Sequence, residues 1–242
     1  YRAIQQTASG SCPMWNPMDE SKAGTGNPEL TARRGSAKID GDLAEWKPEE
    51  FFPIDQKFQW ILRDSGIPSA EDWSGWIAFR WDEKKLYAAV LVRDDELFFG
   101  DFLSRDWRDS DNMRLFLSSV ADPAKRAKTI TGDDLLLIMT PTGVARTEGP
   151  MLNIASLGGL VRSGMESQVE MKSRVWKNGY VLEAAIPFSL FNAKPAEGTV
   201  LGLNVMADDC DGNFRQHVGM TYYKSPNYWN SPAALGNLKL GK

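Results

Sequence analysis

The run Val169-Glu170-Met171-Lys172-Ser173-Arg174-Val175 alternates strictly, with Val169, Met171 and Val175 on one side and Glu170, Lys172 and Arg174 on the other. A period of two describes a strand with one wet face. Lys177-Asn178-Gly179 follows, and Asn-Gly tolerates positive φ, so the spacing predicts a hairpin that returns through Tyr180 to Ile186. Trp76 to Trp81 and Leu86 to Val92 flank the polar link Asp82-Glu83-Lys84-Lys85 in the same way. Both faces of Leu86 to Val92 are apolar, as in a strand covered on both sides. Further strands are predicted at Met113 to Ser118, Asp134 to Thr140, Val200 to Ala207, Val218 to Tyr223 and Leu235 to Leu240. Short helical turns are expected at Pro187 to Phe191 and Asp122 to Lys128. The first 36 residues are rich in Gly, Pro, Ser, Thr and Asn and lack a hydrophobic period, which predicts an irregular N-terminal arm. The expectation is therefore an all-β chain: an antiparallel β-sandwich over residues 37–242, of immunoglobulin-like or jelly-roll-like two-sheet architecture, with one or two short helices.

Composition narrows the function classes. The 28 Lys and Arg against 32 Asp and Glu give a net charge of −4, which lacks the basic stripe that nucleic acid requires. No apolar run approaches the roughly 18–20 residues of a membrane span. The chain begins at Tyr1, which suits removal of a leader peptide or trimming of the chain. Cys12 and Cys210 are the only cysteines, and either a bridge or two buried thiols fits them. A cysteine-rich zinc site is excluded, and His217, the only histidine, leaves little for a histidine-rich metal site or a Ser-His-Asp triad.

Two tryptophans stand in polar settings. Trp229 lies between Asn227-Tyr228 and Asn230-Ser231-Pro232, and Trp107 lies within Ser104-Arg105-Asp106-Trp107-Arg108-Asp109. Sugar rings stack their C–H faces on indoles, while their hydroxyls need fixed polar partners nearby. The plainer reading makes Trp229 a partly buried cap on the fold. Trp73 and Trp76 could extend an aromatic platform, although Trp76 begins a strand and suits the core, as do Trp46, Trp60, Trp81 and Trp176. Asp208-Asp209-Cys210-Asp211-Gly212-Asn213 gathers oxygen donors in one turn, so Asp208, Asp209 and Asp211 are candidate ligands for a structural calcium ion. Asp94-Asp95-Glu96, with Asp40 and Asp42, forms a second acidic group for which local turn hydrogen bonding is the alternative. No carboxylate sits in an apolar run that would plainly raise its pKa, so glycoside hydrolysis by a carboxyl pair is not expected. Haem binding through His217, Met206 or Met220 is another reading, against ordinary core methionines.

Several segments, taken in order, resemble carbohydrate-binding module family 9. They are Ile39-Asp40-Gly41-Asp42-Leu43-Ala44-Glu45-Trp46, Leu86 to Leu97, Asn178 to Pro187, Leu201 to Asp209, and the ending from Trp229 to Leu240. The resemblance implies a non-catalytic β-sandwich that clamps a sugar between two tryptophans. Such modules are appended to larger secreted enzymes or surface proteins, which implies a secreted, periplasmic or cell-surface location and an oligo- or polysaccharide partner. Trp107 and Trp229 correspond to the clamp, and Arg114, Tyr228 and Asn230 are the polar and aromatic neighbours expected to bind ligand. The likeness departs where a family glutamate is replaced by Arg114, a glutamine by Met206, and an Arg- and Asn-bearing strand by Leu135-Leu136-Leu137-Ile138. A scaffold or interaction module of a surface protein is the alternative function.

Overall fold

Strand β1 (Leu30–Arg34) joins the two halves of the molecule. Its first residues pair in parallel with β13 (Gly236–Leu240), Leu30 opposite Leu238, and its last pair in parallel with β4 (Trp73–Trp81), Arg33 opposite Arg80. The computed structural model describes residues 30–54, 59–63, 72–99, 110–143, 149–155, 164–211, 218–221 and 231–242. Leu30–Arg34 lies inside the segment expected to be an irregular arm. Its short sequence, LTARR, carries too little alternation to announce a strand, yet Leu30 and Ala32 are buried beneath it.

The remaining strands are β2 (Phe52–Pro53), β3 (Trp60–Arg63), β5 (Lys85–Asp94), β6 (Asn112–Ser118), β7 (Asp134–Thr140), β8 (Met151–Ile154), β9 (Glu170–Trp176), β10 (Gly179–Pro187), β11 (Val200–Asp209) and β12 (Val218–Thr221). They run in the order β8-β7-β6-β11-β13-β1-β4-β5-β10-β9, with β2 added to β4, and β12 and β3 added beyond β11. This is one continuous sheet curled on itself through β1, where the sequence suggested two separate antiparallel sheets. All other pairings are antiparallel. The two predicted helices are single 3₁₀ turns, Pro123–Lys125 and Phe188–Phe191, and no α-helix occurs among the described residues.

Period-two alternation decides which side chains meet inside the curl. Met113, Leu115 and Leu117 of β6, Leu135, Leu137 and Met139 of β7, and Leu203 and Val205 of β11 face Ile77, Phe79, Val90, Val92 and Leu182 in one core. Residues of opposite parity form two outer faces. One, on β4, β5 and β10, is covered by the segment from Ala37 to Phe51, whose Ile39, Leu43 and Trp46 pack on Trp76, Ala89, Leu91 and Val181. Glu183 of β10 pins that strap by accepting hydrogen bonds from Trp46 Nε1 (2.8 Å), Gly41 N (2.8 Å) and Asp40 N (3.1 Å). Gly41 has φ +77°, and a Cβ there would lie 3.0 Å from Ser173 O, so the strap can turn this close to β9 only with glycine. The other outer face, on β6, β7 and β11, carries Phe116, Leu136 and Met206, with Ile130 and Leu235 packed over them.

Strand β9 shows the predicted wet face, with Glu170, Lys172 and Arg174 exposed while Met171 and Val175 pack on the core. The Asn178-Gly179 turn needs its glycine, because a Cβ on Gly179 would stand 2.1 Å from Val92 O.

Candidate functional site

Strand register brings carboxylates from both halves of the sheet to one end of the core. Trp73 at the start of β4 pairs with Asp94 at the end of β5, which places Asp72 beside Asp94 and Asp95. On the other half, Asn112 at the start of β6 pairs with Asp208 near the end of β11, which brings Asp111 near Asp209 and Asp211. Asp111 fixes the loops around it, since its Oδ2 accepts from Phe98 N (2.5 Å) and its Oδ1 from Cys210 N (2.8 Å). The result is two overlapping groups, Asp72, Asp95 and Asp211, and Asp94, Asp209 and Asp211, each with carboxylate oxygens within 4.8 Å of one another.

Their electrostatics follow from burial and mutual repulsion. Asp94 and Asp209 are pushed well above the usual carboxylate range, first by burial and then by neighbouring carboxylates, Asp211 and Asp95 for Asp94, and Asp94 and Asp211 for Asp209. Asp111 is raised for the same reasons, with Asp94 and Asp209 as the neighbours. Asp94 Oδ1 accepts from Glu96 N (3.0 Å), but its buried Oδ2 has no hydrogen-bond partner among the described residues. The buried hydroxyl of Tyr180, on β10 beside Val92, also has none, and its pKa is raised by burial and by Asp111, Asp94, Asp209 and Asp208. Hard carboxylate oxygens crowded at partial burial suit a hard divalent cation such as calcium.

Asp208, expected among the metal ligands, goes elsewhere. Alternation on β11 sends Asp209 inward and Asp208 to the outer face. There Asp208 Oδ1 meets Arg114 Nη2 at 2.5 Å, and Oδ2 accepts from Asn112 Nδ2 at 3.2 Å. Arg114 is correspondingly buried, beside Ile138 of β7 and Met206 of β11 in cross-strand register. The sequence pairing of Asp94 and Asp95 with Asp40 and Asp42 also fails in space. Asp40 pairs with Lys38 at 2.9 Å and Asp42 with Arg174 at 3.5 Å on the strap. Asp72, Asp94, Asp95 and Asp111 join Asp209 and Asp211 only through the fold, and no local spacing signals it.

Among the aromatics, Trp73 and Trp76 are buried in the inner core and the strap face respectively, so they form no exposed platform. Met206 packs among Phe116, Ile130, Leu136 and Leu235. Trp107, Tyr228, Trp229, Asn230, His217 and Cys12 lie outside the described residues. The anchor after Trp229 is described. Pro232–Ala234 forms a 3₁₀ turn, Ala233 N donates to Ala127 O (3.1 Å), and Leu235 packs on Phe116 and Leu136. Arg126 holds this turn with Nη1 on Leu235 O (2.7 Å) and Gly236 O (3.0 Å), and Nη2 on Asn237 Oδ1 (2.8 Å). The Pro232–Ala234 turn and Leu235 are therefore seated on the outer face of β6, β7 and β11.

Residues 39–242 match the family described as carbohydrate family 9 binding domain-like. The chain belongs to this family. As a family 9 domain it has a β-sandwich fold and is a binding module, not an enzyme. Its fold is similar to that of a family 9 module from Caldicellulosiruptor kristjanssonii solved with glucose, at TM-score 0.67 and 20% identity, covering 89% of this chain and 97% of that one. The same source's module with cellotriose gives TM-score 0.65 and 18% identity, over 88% of this chain and 94% of that one. A putative carbohydrate-binding protein from Bacteroides uniformis gives TM-score 0.55 and 13% identity, over 88% and 99%. In sequence the chain is 25% identical over 246 residues to endo-1,4-beta-xylanase C of Paenibacillus barcinonensis, covering 98% of this chain and 20% of the xylanase. The family 9 domain thus spans about a fifth of that relative's length.

Proposed function

We propose that this domain binds an oligo- or polysaccharide by stacking a sugar between Trp107 and Trp229 over the outer face of β6, β7 and β11. The observation that carries this reading is the seating of the Pro232–Ala234 turn and Leu235 on that face, immediately after Trp229, in a chain of the family 9 type. Relatives of the same fold hold glucose and cellotriose. Tyr228 and Asn230 supply polar contacts to sugar hydroxyls. Arg114, committed to Asp208, forms part of the floor and tunes specificity from beneath. The match to one stretch of a xylanase supports a module carried by a larger glycan-degrading enzyme or surface protein, working outside the cytoplasm on β-linked polysaccharide.

A calcium ion at Asp94, Asp209 and Asp211 completes the proposal. It would neutralise the crowded carboxylates and tie the end of β5 to the end of β11. Isothermal titration with glucose, cellotriose and xylo-oligosaccharides tests the sugar reading. Saturable binding to at least one is expected, and no heat from any of them, or from a broader glycan panel, overturns it.

A further inference from the structure

Trp46, Trp73, Trp76 and Trp81 are buried, whereas Trp176 at the end of β9 is half-exposed. Alternation on β9 turns Lys172, Arg174 and Trp176 outward, about 6.5 Å from one to the next. β9 is the last strand of the sheet order, so among the described residues no further strand flanks this row. The Trp176 ring lies over β10 at Gly179, where an added Cβ would meet its Cζ2 at 3.0 Å. Gly179 pairs with Trp176 on one side and with Arg93 of β5 on the other. In this cross-strand row no side chain stands between the indole and Arg93. The strap packs on the next row inward, at Val181, Leu91 and Trp76, and Trp176 leans on that same cluster, which holds its ring in place.

The chain is acidic as a whole, yet this row is basic. Lys172 and Lys177 are exposed and Arg93 is half-exposed, and the three make no ion pair among the described residues. Arg174 reaches Asp42 at 3.5 Å. The other carboxylates of the neighbourhood are matched or set apart: Asp40 by Lys38 at 2.9 Å, Glu170 by Lys85 at 3.5 Å, and Asp95 and Glu96 in the turn beyond β5. An open indole face beside uncommitted cations suits a flat ring that also carries a carboxylate. Ring C–H bonds stack on the indole, a carboxylate fits the planar guanidinium fork, and the lysines attract the chain from a distance. We propose that Trp176, Arg93, Arg174 and Lys172 form a second glycan site, for chains bearing uronic acids. It lies on the outer face of β4, β5 and β10, opposite the face of β6, β7 and β11, and does not depend on the tryptophan clamp. One uronate ring covers Trp176 with its carboxylate at Arg93, and the chain continues along Arg174 and Lys172.

The test is isothermal titration with sodium hexagalacturonate and with a glucuronic-acid-substituted xylo-oligosaccharide, against neutral xylohexaose. Saturable binding of at least one uronate is expected, weakening as salt is raised. The first alone would place the uronate in the backbone of the glycan and the second alone on a side branch, and either supports the site. Trp176→Ala and Arg93→Gln should each weaken uronate binding about tenfold, through the lost stacking and the lost charged hydrogen bond. Trp229→Ala should leave it unchanged, which separates this site from the clamp. Arg93→Gln and Lys172→Gln alter surface groups and keep the fold, which circular dichroism checks, so the result stands even if Trp176→Ala unsettles the hairpin. No binding of either uronate overturns the inference, as does equal affinity in wild type and Arg93→Gln. Inorganic polyphosphate bound as tightly as the uronates overturns it too, since charge alone would then account for the binding.

Discussion

Arg114 Nη2 lies 2.5 Å from Asp208 Oδ1, so a buried ion pair spans β6 and β11 one residue before Asp209 turns into the carboxylate cluster. Neighbouring aspartates therefore have opposite roles, and their variants should diverge. Asp208→Ala strands a buried guanidinium and should cost about 3–5 kcal/mol. Asp209→Asn relieves repulsion and should stabilise the calcium-free domain while abolishing its stabilisation by calcium. Thermal melts with and without chelator separate the two outcomes.

Calcium removal should itself lower the melting temperature. A cation at about a hundred times its Kd adds roughly 2.7 kcal/mol, and for a domain of this size each kcal/mol moves Tm by about 2–4 °C. A chelator should thus lower Tm by about 5–10 °C, reversibly on adding calcium back. An unmoved melt would remove the cluster as a cation site.

How much of this was legible in the sequence depends on range. Strict alternation located β9, which has one wet face, and the Asn-Gly turn after it located β10, whereas β6, β7 and β11 read only as short apolar runs because both of their faces are buried. β1 was hidden because five residues, two of them arginine at its end, give no period, and its role comes from bridging β13 to β4. The Asp209 to Asp211 turn was visible as a local acidic run. Its partners Asp72 and Asp94 were not, because only the Trp73 to Asp94 register and the closing of the curl bring them there. Asp208 was misassigned because β11 runs to Asp209, two residues beyond the expected end, and the strand's alternation turns Asp208 away.

Arg126 ties the end of the Pro232–Ala234 turn to the start of β13. Besides Leu235 O, Gly236 O and Asn237, it donates to Val120 O (2.9 Å) and Ala121 O (3.2 Å). Arg126→Met should destabilise the domain by about 3 kcal/mol, since charged hydrogen bonds contribute about 1.5–3 each and buried carbonyls are left bare. Arg126→Lys should recover only part, because an ammonium lacks the planar fork. Denaturant melts measure the first effect. A weaker sugar affinity in a still-folded Arg126→Lys domain would register the second.

The Asp82 turn gives a pH-dependent contribution of known sign. Burial raises the Asp82 pKa, but the Tyr87 hydroxyl at 2.6 Å and the amides of Lys84 and Lys85 at 2.7 and 2.8 Å outweigh it, leaving the carboxyl below its usual value. A lowered folded pKa means stabilisation present above the ordinary value of 3.8 and lost as pH falls through the folded one. Tyr87→Phe should cost about 1 kcal/mol near neutrality, and the gap from wild type should close in acid. A gap independent of pH would show that the hydroxyl does not act through Asp82.

The central claim is that Trp229 forms one wall of a sugar site on the outer face of β6, β7 and β11. The direct measurement is isothermal titration of cellotriose, or of the best ligand from the glycan panel, into wild type and Trp229→Ala, with matched melting curves. The account predicts saturable one-to-one binding by the wild type, and at least a hundredfold weakening in Trp229→Ala with Tm shifted by no more than a few degrees. Equal affinity in the two proteins would contradict it.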